Sequence, residues 1–165
     1  MLTKYPIMNS SWAGNRILRN PDVNIAIAMA VPGGVVGVVI PRVDAATLWE
    51  IAAMRRDLAE RARAGRLRPA DIAGATFTIS NLGMYRIDSF SAIITPPQAA
   101  VLAVGSITDR VVSVEGQAVV PPAMTATLSS DHRVVDGARA ADFLNALAEA
   151  VKIPPLVANF VTLCR

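Results

Sequence analysis

The sequence has few residues that build covalent or metal crosslinks. Its 165 residues include one cysteine, Cys164, and one histidine, His132. A single cysteine excludes an internal disulfide and is typical of a reducing compartment. The richness in alanine, arginine and valine favours a cytoplasmic location over the mitochondrial matrix. Because a structural zinc site usually takes four cysteine or histidine ligands, these two residues cannot supply one, and we expect no bound metal.

Long apolar runs and aromatic residues are also scarce. The longest apolar candidate, Val31 to Ile40, contains one proline and three glycines and is shorter than the roughly 18 residues that a membrane span requires. Residues 1–11 do not resemble a signal peptide. The basic stretch Arg55 to Arg68 lacks the interleaved aromatics on which nucleic-acid bases stack. We therefore expect binding to neither a membrane nor a nucleic acid.

Charge is low for a chain of this length. Hydrophobic residues make up 53% and charged residues 18% of the sequence, whereas an average globular chain has about 25% charged residues. One small monomer cannot hide so much apolar surface. The composition therefore predicts large subunit contacts, because obligate interfaces are more hydrophobic than other protein surfaces.

Hydrophobic periodicity predicts an α+β fold with one mixed β-sheet and helices packed on one side of it. The predicted strands are residues 23–30, 35–40, 75–80, 99–104 and 123–129, with a hairpin of 110–114 and 118–120. One helix is expected after Asp44, which can cap it, and is expected to end near Gly65; a second should cover 138–151. Residues 1–22 carry many turn formers and are expected to be irregular.

The most informative segment is Ser129 to Gly137, which lies between a predicted strand and a predicted helix. It holds His132, and an imidazole can exchange a proton near neutral pH. Asp136 follows four residues later, so both groups can face one cavity. The residues alone leave two interpretations open: a catalytic pair, or a turn in which the aspartate only caps the helix.

Three sequence blocks resemble those of dihydrolipoamide acyltransferases, the core components of 2-oxoacid dehydrogenase complexes, and they stand in the family's order and spacing. The blocks are Asp131-His132-Arg133-Val134-Val135-Asp136-Gly137, Thr76-Phe77-Thr78-Ile79-Ser80-Asn81-Leu82-Gly83-Met84, and the stretch from Ala92 to Gly105 that contains Pro96-Pro97-Gln98. The resemblance covers nearly the whole chain, from about Tyr5 to about Pro155, and implies the chloramphenicol-acetyltransferase-like fold.

The resemblance also implies a mechanism. His132 would be the general base that takes the proton from the thiol of coenzyme A or of dihydrolipoamide, the latter carried on a separate lipoyl domain. Ser80 would stabilise the oxyanion, and it would meet the histidine across a subunit boundary. Asp136 would shape the site through an ion pair, and Asp131 and Arg133 would be structural.

The resemblance further implies assembly into a homotrimer and then a larger core, with the apolar tail Leu156 to Arg165 able to join trimers. Decarboxylase and dihydrolipoamide dehydrogenase components would be its partners. We interpret residues 1–165 as the acyltransferase catalytic domain, with its N-terminal part and the family's usual ion-pair partner of Asp136 missing. No lipoyl or peripheral subunit-binding domain is visible in the sequence.

Two alternatives remain. A related trimeric acyltransferase, such as a chloramphenicol acetyltransferase, would transfer the acyl group to a small alcohol, although Pro96-Pro97-Gln98 argues against it. A catalytically silent structural core would keep the trimer without the chemistry, but it would not need His132, Ser80 or Asp136. The sequence leaves open whether the acyl group is acetyl, succinyl or branched.

Overall fold

A computed structural model describes residues 1–152 of the chain. The apolar tail expected to join trimers, and Cys164 within it, lie outside the described residues. No helix among the described residues is long and apolar enough to cross a membrane.

The described residues form eleven strands and two α-helices. In chain order they are β1 (Ser10–Ala13), β2 (Arg16–Arg19), β3 (Ile25–Val31), β4 (Gly34–Ile40), α1 (Leu48–Arg63), β5 (Phe77–Asn81), β6 (Ala100–Val104), β7 (Thr108–Asp109), β8 (Val112–Val114), β9 (Gln117–Val119), β10 (Pro122–Ala123), β11 (Ala126–Ser130) and α2 (Gly137–Lys152). Short 3₁₀ turns occupy Pro6–Asn9, Pro69–Asp71 and Gly83–Tyr85.

Five strands form the central sheet in the order β11-β6-β5-β3-β4. The pairs β3–β5 and β5–β6 are parallel, whereas β3–β4 and β6–β11 are antiparallel. The predicted mixed sheet is therefore confirmed, as is the smaller hairpin of β8 and β9. The central strands lie close to their predicted positions because each carries an apolar run that the core buries.

Both helices pack on one face of the sheet, as predicted. Ile27 on the central strand β3 contacts two core clusters, one with Phe143 of α2 and one with Leu58 of α1. Phe143 in turn packs on Phe77 of β5, with ring centroids 6.1 Å apart. Since side chains alternate along a strand, the other face carries the intervening residues, most of which are small or polar, with Val39 and Val101 as apolar exceptions. The small or polar residues include Ala26, Ala28, Thr78, Ser80, Ala103 and Thr127.

The start of α1 differs from the sequence prediction, which placed the cap at Asp44. Thr47 is the cap: its Oγ1 accepts a hydrogen bond from the Glu50 backbone N–H at 3.3 Å. Glu50 Oε2 accepts the Thr47 N–H at 2.7 Å, which lowers the pKa of that carboxyl. The prediction of Asp44 as the cap was wrong because the reciprocal capping box of Thr47 and Glu50 satisfies two backbone donors, whereas a lone aspartate satisfies one. The predicted stop at Gly65 is confirmed by its positive φ of 64° after the last turn.

Residues 1–22 are not irregular, and this prediction was wrong. They form a 3₁₀ turn and the antiparallel hairpin of β1 and β2, in which Trp12 pairs with Ile17 across the turn at Gly14. The Ala99 N–H donates to the Ser10 carbonyl at 3.1 Å, which ties the hairpin to the sheet next to β6. Met8 is fully buried in the same core as α2.

Gly105 provides a test of how tightly the loops at the end of β5 and β6 are held. A Cβ added there would overlap the carbonyl oxygen of Asp88, and the adjacent Ser106 N–H donates to the Ile87 carbonyl at 2.8 Å. We therefore expect Gly105→Ala to lower the free energy of unfolding by about 1–3 kcal/mol, as overpacking in a tight contact does. Urea unfolding followed by circular dichroism would measure it.

The matched control is Gly34→Ala, since no atom lies within 4 Å of a Cβ at that position and its φ is not positive. Equal effects of the two substitutions would show that the loop around Asp88 adjusts freely.

Candidate functional site

His132 lies in the turn that joins β11 to α2. The turn is fixed by backbone hydrogen bonds: the Asp131 N–H donates to the Ala99 carbonyl at 2.8 Å, and the Asp131 carbonyl accepts the N–H groups of Val134 and Val135, each at 2.9 Å. Both valines are buried. The His132 side chain is exposed and makes no hydrogen bond to the described part of the chain. Buried neighbours therefore hold the turn while the imidazole projects outward.

Asp131 and Arg133, on either side of the histidine, form a local ion pair. The Arg133 Nη2 lies 2.6 Å from Asp131 Oδ2, and the Arg133 backbone N–H donates to Asp131 Oδ1 at 3.0 Å. The side-chain hydrogen bond from Arg133 is the main reason why the pKa of Asp131 is lowered, and the pKa of Arg133 is raised in turn. The guanidinium also lies over the Trp12 ring, 5.3 Å from its centroid. These contacts agree with the structural role expected for both residues.

Asp136 caps α2. Its Oδ1 accepts the Arg139 backbone N–H at 3.0 Å, and its Oδ2 lies 3.4 Å from the Arg139 Nε. The pKa of Asp136 is lowered, first by that backbone hydrogen bond, then by the charge of Arg139 and, more weakly, by His132. The carboxylate is thus close enough to His132 to interact with it electrostatically, while its hydrogen bond and its ion pair are made to α2.

Ser80 lies near the end of β5, on the sheet face opposite the helices. It stands beside Ala103 of β6 in the ladder and is half-buried. Beyond it, Asn81 Oδ1 accepts the Gly83 N–H at 2.8 Å, which shapes the following turn. The Ser80 hydroxyl has no hydrogen-bond partner among residues 1–152, so it can donate to an acceptor that the chain itself does not provide.

One chain does not bring Ser80 and His132 together. Ser80 is level with Ala103, and Ala103 is level with Thr127 of β11. From Thr127 the chain runs to Asp131 before it reaches the histidine, which is about 13 Å along the strand at roughly 3.3 Å per residue. Ser80 also lies two strands away from β11, at about 4.8 Å per strand. The hydroxyl and the imidazole are therefore at opposite ends of the sheet.

A cleft of about 210 Å³ lies beside the histidine turn. Its lining residues are Trp12, Ile94, Pro96, Pro97, Gln98, Asp131 and Arg133. Trp12 and Gln98 are not among the predicted site residues. Gln98 is 7% exposed, and a polar side chain at the start of a buried apolar strand is the one signal in the sequence that points to it.

A second cleft, of about 290 Å³, lies next to the first turn of α2. Lys4, Arg19 and Arg139 line it together with Asp142, so its surface is mainly cationic and suits a phosphate-bearing ligand. Among residues 1–152, no group of three histidine, cysteine, aspartate or glutamate side chains is arranged to hold a metal ion.

The sheet order, the two helices on one face and the histidine turn together define the fold of an acyltransferase catalytic core. Residues 1–158 match the family described as 2-oxoacid dehydrogenases acyltransferase (catalytic domain). The chain therefore belongs to this family. The family and the fold predicted from the three sequence blocks are thus confirmed.

A relative with a named function supports this placement. The mitochondrial dihydrolipoyllysine-residue acetyltransferase component of the pyruvate dehydrogenase complex from Schizosaccharomyces pombe is 46% identical over 156 residues, which are 93% of this chain and 32% of that protein. The chain therefore spans about a third of the length of that relative.

Two solved structures are similar over nearly the whole chain. One is a dihydrolipoamide acetyltransferase from Azotobacter vinelandii, studied for the role of a serine, a histidine and an asparagine in its catalytic mechanism. The other is the cubic core of a pyruvate dehydrogenase multienzyme complex. Each has a TM-score of 0.87 and 35% identity, and the match covers 95% of this chain and 65% of the other.

The capping role of Asp136 can be tested by pH. The pKa of Asp136 is lowered in the folded state, so its contribution to stability is present above the unfolded-state pKa and is lost as the pH falls through the folded one. We expect Asp136→Ala to lower the midpoint of thermal unfolding at pH 7, and we expect this deficit to shrink as the pH falls below the usual range of an aspartate.

The matched variant is Asp136→Asn, because an asparagine caps a helix about as well as an aspartate but does not titrate. It should stay close to the parent protein at pH 7. A deficit in Asp136→Ala that is the same at every pH would contradict the capping role of the carboxylate.

Proposed function

We propose that the chain transfers an acetyl group between the thiol of coenzyme A and the thiol of dihydrolipoamide carried on a separate lipoyl domain. It would do so as the acyltransferase core of a 2-oxoacid dehydrogenase complex. Membership in the family supports the reaction. The acetyl group, which the sequence left open, is supported by the relative that acts in a pyruvate dehydrogenase complex.

The proposed reaction requires one base and one oxyanion donor. His132 accepts the proton of the attacking thiol, and the thiolate forms a new C–S bond to the thioester carbonyl carbon. The Ser80 hydroxyl donates a hydrogen bond to the resulting oxyanion. When the intermediate collapses, the original C–S bond breaks and the leaving thiolate takes the proton back from His132. The exposed imidazole and the unpaired hydroxyl are each available for these roles.

The spacing of the three residues supports the assignment. In the Azotobacter vinelandii enzyme the serine precedes the histidine by 52 residues, and the asparagine follows it by four. Ser80 and Asp136 stand at the same intervals from His132. Here the third position is an aspartate, which caps α2; an asparagine has an equivalent carbonyl oxygen for that bond.

The observation that carries the proposal is the match of Ser80, His132 and position 136 to the family's catalytic spacing, and the separation of Ser80 and His132 within one chain points to a site shared between copies. Because both are needed at one thioester, the site is proposed to form where the Ser80 end of one copy meets the His132 turn of the next, in a homotrimer. Small residues around Ser80, such as Ala28 and Ala103, allow a close approach on that sheet face. The cubic core of a similar protein supports further assembly of such trimers.

The partners and the location of the assembly are part of the same proposal. The decarboxylase and dihydrolipoamide dehydrogenase components are the partners that the family implies, and a cytoplasmic location stays a prediction. Neither alternative function is favoured. Transfer to an alcohol finds no support in the named relative, and a silent core has no need for an exposed histidine without a hydrogen bond.

Substitution of either proposed catalytic residue should lower the turnover rate more than it weakens substrate binding. We expect His132→Ala to lower the rate of acetyl transfer from acetyl-coenzyme A to dihydrolipoamide by about 10²–10⁴-fold, because the thiol loses its base. Ser80→Ala should lower kcat by about 10²–10³-fold with little change in KM, because the hydroxyl acts on the oxyanion. A rate of His132→Ala within a few-fold of the parent would contradict the mechanism.

Mixed assemblies test whether the site is shared between copies. His132→Ala and Ser80→Ala chains should each be nearly inactive alone. Co-expressed in equal amounts, they should recover about a quarter of the parent activity, since a head-to-tail interface places an intact histidine next to an intact serine in that share of sites. Equal mixtures that stay inactive, with mixed trimers verified by mass spectrometry, would contradict the shared site.

A further inference from the structure

The cleft beside the histidine turn contains a polar group that the chain leaves partly unsatisfied. Gln98 is 7% exposed, and its Oε1 accepts a hydrogen bond from the Thr78 hydroxyl at 2.6 Å. No described residue accepts a hydrogen bond from its Nε2. An amide N–H that faces a cleft and has no partner in the chain can donate to a bound molecule.

The free amide nitrogen remains accessible. Among the described residues, the only fully enclosed side-chain nitrogen or oxygen without a partner is Asn9 Oδ1. The unpaired Nε2 of Gln98 is therefore not fully enclosed, and the cleft is the opening that Gln98 lines. The hydrogen bond from Thr78 fixes the carbonyl end of the amide, so its N–H groups are oriented for another acceptor.

The rest of the cleft indicates the kind of molecule that fits. Trp12, Ile94 and the two prolines form apolar walls. At the rim, Arg133 is already paired with Asp131, so no unpaired cation is offered to a phosphate. The volume of about 210 Å³ is below the roughly 300–1,000 Å³ typical of a site for a whole small molecule. A short apolar segment with one hydrogen-bond acceptor suits this cleft.

Both thiols of the proposed reaction reach the site on arms of this chemistry. The pantetheine arm of coenzyme A and the lipoyl arm each join an aliphatic chain to an amide. We propose that Gln98 binds a substrate thiol arm in this cleft by donating a hydrogen bond from Nε2 to the amide carbonyl oxygen of the arm. This assignment rests on the proposed function, and it places the arm beside Asp131 and Arg133, the two neighbours of His132.

Thr78 has a positioning role in this arrangement. It lies two residues before Ser80 on the same face of β5. Its hydroxyl donates the hydrogen bond that orients the Gln98 amide. Strand β5 therefore contributes to two sites. Its Ser80 would stabilise the oxyanion at one site, and its Thr78 orients Gln98 beside the His132 of the same chain, which belongs to another site.

Pairs of thiols with and without an amide provide the test. For the coenzyme A side, N-acetylcysteamine is compared with 1-pentanethiol, and for the lipoyl side, dihydrolipoamide is compared with octane-1,3-dithiol. The acetyl donor is kept saturating and identical within each pair. We expect Gln98→Met to lower kcat/KM for the amide-containing thiol of one pair by about 2- to 10-fold, the effect of one hydrogen bond. The amide-free thiol of that pair should change less than 2-fold.

The pair that shows the loss identifies which arm the cleft holds. Gln98→Glu is the second variant, because it keeps an oxygen for the Thr78 hydroxyl but has no N–H to donate, and it should show the same selectivity. The matched control is Gln117→Met, an exposed glutamine in the β9 strand, which should leave all four rates unchanged.

Two results would overturn the assignment. Equal losses for both thiols of each pair would assign Gln98 a structural role or a contact with another copy, and unchanged rates for all thiols would leave it no role in binding. An unsubstituted enzyme that acetylates none of the four thiols would instead overturn the proposed function itself, and the arm-binding role with it.

Discussion

The position of Ser80 depends on the parallel pairing of β5 between β3 and β6. Ile79 pairs with Ile27 on one side and with Leu102 on the other, so the apolar residues of all three strands point to the helices. A slip of one residue would expose Ile79 and bury Ser80 in the core. The burial of these apolar side chains therefore fixes the serine on the opposite face, and the register of β5 with β6 places it at the end of the sheet far from the histidine of its own chain.

The charged groups around His132 form their ion pairs and hydrogen bonds with other residues and not with the imidazole. Asp131 is paired with Arg133, and Asp136 with the first turn of α2. The turn keeps its shape because Val134 and Val135 are buried and its backbone is hydrogen-bonded. The exposed imidazole, without a hydrogen bond to the described residues, is accessible to a substrate or to a neighbouring copy.

Much of the fold was predictable because each central strand carries an apolar run. Residue chemistry alone pointed to His132 and Asp136, and the resemblance added Ser80 and the role of each residue. The features that were missed have three separate causes. The hairpin of β1 and β2 was missed because its strands have four residues each and all of β2 is exposed, so they lack the periodicity of a buried strand. Asp44 and Thr47 are both competent caps, and only the reciprocal bond of Glu50 decides between them. The contact between Thr78 and Gln98 appears only in three dimensions.

The composition and the proposed site are linked by one sheet face. The face opposite the helices carries small residues and the Ser80 hydroxyl, and several of its members, such as Ala26 and Ala103, are buried. Small side chains let the backbone of a second copy approach such a face closely. In the proposed trimer the same surface would supply both the subunit contact and half of the chemistry. Dissociation of the trimer would then separate Ser80 from His132 and remove catalysis, so activity would depend on the association equilibrium of the trimer.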